Sequence, residues 1–139
     1  MSQDQQTTAT QLQSELNQFT GDLERYRHNL NRRVIYTPGV QHLAERAGAY
    51  WLIDAVASWI GSDSFNEALR LDERLQSLQF WELAVDAENR SAVLTAVSDK
   101  GEPPFITQRI PFTDFPLDRV EIWAGFDGRN WTLYLPSEH

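Results

Sequence analysis

The hydrophobic pattern changes period near residue 77. Before it, apolar residues recur three or four apart, as on one face of a helix; after it they alternate, as on one face of a strand. Leu12, Leu16 and Phe19 predict a short amphipathic helix over residues 10–18, stopped at Gly21. A poorly patterned segment comes next, to about Tyr36. Thr37 then serves as N-cap and Pro38 takes the first helical position, where its missing N–H costs nothing, opening a long helix that Gly61 closes. Ser64 and Glu67 have the capping-box spacing, so a third helix begins there and runs to about Leu75.

Five strands are implied by five sets of residues that each share a face. These are Trp81, Leu83 and Val85; Val93 and Val97; Ile106, Ile110 and Phe112; Val120, Ile122 and Phe126; and Trp131, Leu133 and Leu135. Asp127-Gly128 is a type I′ hairpin signal, and short turns favour antiparallel neighbours. "DFPL", residues 114–117, reads as a connection with Phe115 tucked inward and Asp114 free to cap the turn, because Pro116 cannot donate to a ladder. The expected fold is therefore α+β: three N-terminal helices packed on one face of a five-stranded antiparallel meander sheet. Residues 1–9 read as a disordered tail and residues 10–139 as one domain.

The long helix carries an oddity. Stepping ~100° per residue from Val40 places Leu43, Ala44, Ala47, Trp51 and Ala55 on one apolar face, and Asp54 and Ser58 fall inside it. A carboxylate there needs a partner, from Tyr50, Ser58 or an arginine such as Arg25, Arg27 or Arg109. It then either anchors the helix or serves as an acid-base group in a pocket.

Composition narrows the classes. Twelve Lys and Arg against twenty Asp and Glu leave a net charge of −8, which argues against nucleic-acid binding. No run approaches the ~20 apolar residues of a membrane span, and with no cysteine the simplest expectation is a soluble, cytoplasmic chain without disulfides. One basic stretch stands apart. In "RYRHNLNRR", Arg25, Arg27, Arg32 and Arg33 either pair with the chain's own acids or contact an anion or partner.

Signatures of common hydrolases, nucleotide-binding loops and zinc proteases are missing from the sequence. His42 and Glu45 share a helix face, but two ligands make no metal site, and neither metal nor cofactor is expected. His28 with Asp54, or with Asp114, is the remaining acid-base candidate. On the sheet face turned away from the helices, Trp123 and Tyr134 are expected beside Phe105, Thr107, Arg109 and Glu121. That surface would take a partner or ligand, pair with a second copy in a homodimer, or be covered by Tyr26, Val34, Ile35 and Tyr36.

The succession "FTG" (19–21), "YRH" (26–28), "YTPGV" (36–40), "AGAYWLIDAVAS" (47–58), "DFPL" (114–117) and "LPSE" (135–138) resembles an uncharacterised prokaryotic family, a domain of unknown function associated with bacterial, cyanobacterial, phage and plasmid genomes. His139 departs from the aromatic that pattern has after "LPSE", and Pro38 is atypical within "YTPGV". The resemblance implies a small stand-alone domain and marks Tyr50, Trp51 and Asp54 as motif residues, without an activity. The expected function is a non-catalytic interaction module, binding a protein or small ligand and fitting an accessory protein of mobile elements. The alternative is a small enzyme using Asp54 and His28.

Overall fold

The computed structural model of the protein describes residues 3–20 and 24–139. Among the described residues there are four α-helices: α1 (Gln3–Leu16), α2 (Pro38–Ala47), α3 (Tyr50–Trp59) and α4 (Asp63–Leu71). Seven strands form one sheet: β1 (Tyr26–Arg27), β2 (Val34–Tyr36), β3 (Leu78–Asp86), β4 (Ser91–Val97), β5 (Ile106–Ile110), β6 (Arg119–Phe126) and β7 (Trp131–Tyr134). Class α+β is as expected, but the three-helix, five-strand antiparallel meander is not. The spatial order is β1-β2-β7-β6-β3-β4-β5, and the sheet is mixed because β2 runs parallel to β7.

Three physical causes account for the differences. First, Gly48 adopts a left-handed φ of 62° and splits the long helix into α2 and α3, with the Ala49 N–H returning to the Ala44 carbonyl at 2.7 Å. A phase counted from Val40 is lost at that break. Beyond it Leu52, Ile53, Val56, Ala57 and Ile60 are buried, and Asp54 and Ser58 face solvent. The expectation of a buried Asp54 is overturned: its side chain is 69% exposed. Second, β1 and β2 have two and three residues, too few to show a period. Third, both faces of "SAVLTAV" in β4 are apolar, and the inward set is Ala92, Leu94 and Ala96, leaving Val93 and Val97 on the other side.

Helix ends obey the chain's own signals more closely. Thr37 caps α2, accepting the Val40 N–H, and Pro38 opens it. For α4 the N-cap is Ser62, which accepts the Phe65 N–H at 3.3 Å, and Glu67 pairs with Arg70 instead of closing a capping box. The α1 backbone is helical from Gln3, within the stretch expected as a tail, and Leu12 and Leu16 bury one of its faces; its expected stop, Gly21, lies outside the described residues.

Strands β3, β4 and β5 pair in succession, and β6 then returns to the free edge of β3, giving the β6-β3-β4-β5 order of a Greek key. The connection, residues 111–118, crosses the β3–β4 hairpin end, where the Thr113 N–H meets the Arg90 carbonyl and the Val85 N–H meets that of Asp118, both at 2.8 Å. Phe115 is buried against Trp51, as expected of "DFPL"; Thr113, not Asp114, caps the turn by accepting the Phe115 N–H. Trp81, Leu83, Leu94, Ile122 and Leu133 meet Leu12, Leu43, Leu52, Val56 and Phe65 in one core.

The parallel pair has a consequence at each of its ends. In parallel strands like ends coincide, so the chain leaving β2 meets the chain leaving β7. There Glu138 Oε1 accepts the Thr37 hydroxyl at 2.6 Å and the Leu135 N–H at 2.9 Å. The carboxylate sits at the first turn of α2, where a helix favours negative charge. Gly39 leaves it room: a Cβ at that position would lie 2.6 Å from Glu138 Oε1 and 2.8 Å from Leu135 Cδ1. "YTPGV" and "LPSE" thus lock together.

Candidate functional site

At the opposite end of the pair, the segment before β2 meets the segment before β7. The β1–β2 loop, residues 28–33, is fastened to α3 by two side chains. Buried His28 accepts the backbone N–H groups of Leu30 at 3.2 Å and Asn31 at 2.9 Å on Nδ1. A ring nitrogen that accepts carries no hydrogen, so Nε2 holds the proton and donates it to Asp54 Oδ1 at 2.8 Å. Asn31 donates through Nδ2 to the carbonyls of Ala57 at 3.0 Å and Ile60 at 2.9 Å. Those carbonyls end α3, which has no basic residue in its last turn, so Asn31 meets a need every helix end has.

The fold brings His28 and Asp54 together, as the acid-base alternative requires, and leaves Asp114 exposed in the Greek-key crossover. The carboxylate, expected to be buried, is exposed, and the imidazole is the buried member of the pair. Both ring nitrogens are engaged within the protein, so none is left for a substrate. The pair acts as a staple on the loop.

That loop and the β6–β7 turn, residues 127–130, enclose a groove of about 690 Å³ lined by Arg27, Arg32, Arg33, Phe126, Gly128, Arg129 and Asn130. Strand pairing sets the two loops side by side, with Val34 opposite Trp131 and the Trp131 N–H donating to the Arg33 carbonyl at 2.7 Å. Arg27 is held by neutral acceptors, the Arg32 carbonyl and Asn130 Oδ1. Arg32 reaches the His28 carbonyl at 3.4 Å. Among the described residues no carboxylate lies within ion-pair distance of Arg27, Arg32, Arg33 or Arg129, whereas Arg46, Arg70, Arg74 and Arg119 elsewhere all have acidic partners.

Asp127, the nearest acid in the turn, is otherwise occupied. Its Oδ1 accepts the N–H groups of Asn130 at 2.7 Å and Arg129 at 2.8 Å, and these bonds hold its carboxyl below the usual carboxylate range. The expected two-residue hairpin is thus a four-residue turn with Gly128 at φ 96°. Of the four arginines in "RYRHNLNRR", three line the groove and Arg25 instead donates to the Glu24 carbonyl. Arg129 was missed because only the β2–β7 pairing brings the two loops together.

The expected partner surface is divided. Trp123, Tyr134, Glu121 and Arg109 are on the face away from the core, but Arg109 is on edge strand β5, three strands from Trp123 on β6, roughly 14 Å at ordinary spacing. Phe105 is on the core side, against Phe65 and Trp81. Glu121 shares Arg119 with Glu82. Trp123 meets Phe80 edge-on at 4.9 Å and His139 at 5.1 Å, while the Tyr134 hydroxyl bonds His139 Nδ1 at 2.9 Å; burial raises the Tyr134 phenol above its ordinary value. The ring cluster closes on itself.

Tyr26 and Tyr36 do not cover that face; they stack on each other at 5.6 Å across β1 and β2. Burial, and then the Asp54 charge, raise the Tyr36 phenol above its ordinary value. His42 bonds Glu15 at 3.0 Å and Glu45 accepts the Tyr50 hydroxyl at 3.3 Å, so that helix pair is divided between different partners. No group of three or more potential metal-binding His, Asp or Glu occurs among the described residues, and no helix there is long and apolar enough to cross a membrane.

The model of a family of unknown function, DUF6876, matches residues 10–139. No curated protein and no solved structure matches the chain.

Proposed function

Since the chain belongs to DUF6876, a family of unknown function that carries no activity over to it, we propose a function from the geometry alone: a non-catalytic interaction module that receives an anionic group in its arginine groove. One observation carries the reading. Four arginines, Arg27 at the end of β1, Arg32 and Arg33 in the loop after it and Arg129 in the β6–β7 turn, line one groove without a carboxylate in ion-pair contact among the described residues, in a chain of net charge −8 that pairs Arg46, Arg70, Arg74 and Arg119 with acids. Crowded like charges repel, and an anion that accepts from several guanidiniums relieves that repulsion while gaining charge-assisted bonds. The enzyme reading is weaker, because both nitrogens of His28 are used to hold the loop.

Thermal unfolding in sodium phosphate and in sodium chloride of equal ionic strength tests this. A bound anion raises the melting temperature by mass action, so phosphate should stabilise the wild type more than Arg129→Ala. Equal phosphate gains for the two proteins would refute anion binding in the groove.

A further inference from the structure

Resting on that reading, we propose that the groove takes a compact oligophosphate attached to a planar ring, the chemical class of nucleoside di- and triphosphates, with Arg27, Arg32, Arg33 and Arg129 on the phosphates and Phe126 against the ring. Three observations favour this class. At about 690 Å³ the groove is in the size range of small-molecule sites and is far larger than one inorganic anion needs. Its four arginines come from both walls, Arg27, Arg32 and Arg33 on one and Arg129 on the other, which suits a chain of phosphates more than a single one. Each guanidinium can bind phosphate oxygens in a two-pronged manner.

Phe126 supplies the apolar part. It lines the groove, is 37% exposed, and its ring is braced by Trp131 at a centroid distance of 4.9 Å. A braced, partly exposed ring beside a phosphate site is a stacking surface for a base. Charge then separates a compact ligand from a polymer. Removing the four groove arginines from a net charge of −8 leaves −12 for the rest of the chain, so a long polyanion extending beyond the groove meets an acidic surface. A ligand with all its charge inside the groove does not. His28, Asp54 and Asn31 are positioning residues here, since they hold the loop that carries Arg32 and Arg33.

The test is calorimetric titration of the full chain near physiological salt with sodium triphosphate, ATP, adenosine and a twelve-residue oligothymidylate. Triphosphate and ATP should bind, ATP about tenfold more tightly through stacking, and adenosine and the oligonucleotide should bind at least about tenfold more weakly than ATP. Arg129→Ala should lower triphosphate and ATP affinity together by about tenfold, while Phe126→Leu should lower ATP alone. Circular dichroism melts of both variants show whether they fold; should Phe126→Leu unfold, the ATP-to-triphosphate ratio of the wild type decides the ring's part. Equal binding of ATP and triphosphate overturns the planar group. Tighter binding of the oligonucleotide overturns the compact ligand but leaves anion binding in place. No binding of triphosphate or ATP overturns this proposal, and the phosphate-linked melting gain then says whether the broader reading falls too.

Discussion

Two polar clusters sit at the two ends of the parallel β2–β7 pair, and they differ in how their charges are met. At the end where the strands leave, Glu138 is received by the Thr37 hydroxyl, the Leu135 N–H and the first turn of α2, in a space that Gly39 keeps open. Where the strands enter, Arg27, Arg32, Arg33 and Arg129 line one groove; Arg27 and Arg32 are held by neutral oxygens, and Asp127, the acid beside Arg129, is taken up by backbone N–H groups. Glu138 is met inside the fold through Oε1, while its buried Oε2 has no hydrogen-bond partner among the described residues, and the bonds to Oε1 contribute to stability. A charge held in place yet unmatched costs stability, which the proposed anion would offset on binding.

The largest expected effect is at the closed end. Glu138→Ala removes the acceptor of two hydrogen bonds and should lower stability by about 2–3 kcal/mol in a urea melt. Gly39→Ala should cost about 1–3 kcal/mol by displacing Glu138 and Leu135, in spite of alanine's better helix propensity. A neutral or stabilising result for both would show that the carboxylate does not hold the two segments together.

Next is the staple beneath the open end. His28→Ala strands two backbone N–H groups and should cost about 1–3 kcal/mol, whereas Asp54→Asn, on the exposed side of the same bond, should cost no more than about 1 kcal/mol. Chemical denaturation of the two variants checks that asymmetry. Equal losses would mean that the exposed carboxylate does as much as the buried ring.

Alkaline pH acts on the strand between the clusters. The raised phenol of Tyr36 means that the unfolded chain ionises first, near the ordinary value of 10.0. Its contribution to stability is complete below that pH and is lost as pH climbs through the higher folded value. Urea midpoints should therefore fall from pH 9 to pH 11, and less so in Tyr36→Phe. The smallest expected effect on stability belongs to Arg129→Ala, within about 0.5 kcal/mol of wild type because no hydrogen-bonded ion pair is lost, although the phosphate-linked gain should shrink. A large loss of stability would move Arg129 from the binding group to the structural one.

Several of these residues were legible in the chain. Thr37 and Pro38 announce the start of α2 because capping is a local transaction among four residues. The existence of the last five strands and the outward Trp123 and Tyr134 are readable from alternation over stretches long enough to count, though not the inward face of β4, which is apolar on both sides, and Phe115 is readable as inward from the connection that Pro116 marks. The grouping of Arg27, Arg32 and Arg33 could be read because they are close in sequence. Asp54 could not be placed correctly, since one left-handed residue, Gly48, resets the helical phase and turns a buried anchor into an exposed one.

The sequence by itself determined local features: periods, caps, turns and the net charge of −8, each a property of neighbouring residues or of a sum. Tertiary structure alone decided that a strand of three residues would lie parallel to β7. So short a strand has no period of its own, and its partner is chosen by what can be buried and hydrogen-bonded across the whole fold. That one pairing brings Arg129 to the other arginines and Glu138 to Thr37, so both the open cluster and the closed one depend on a contact that no stretch of the chain spells out.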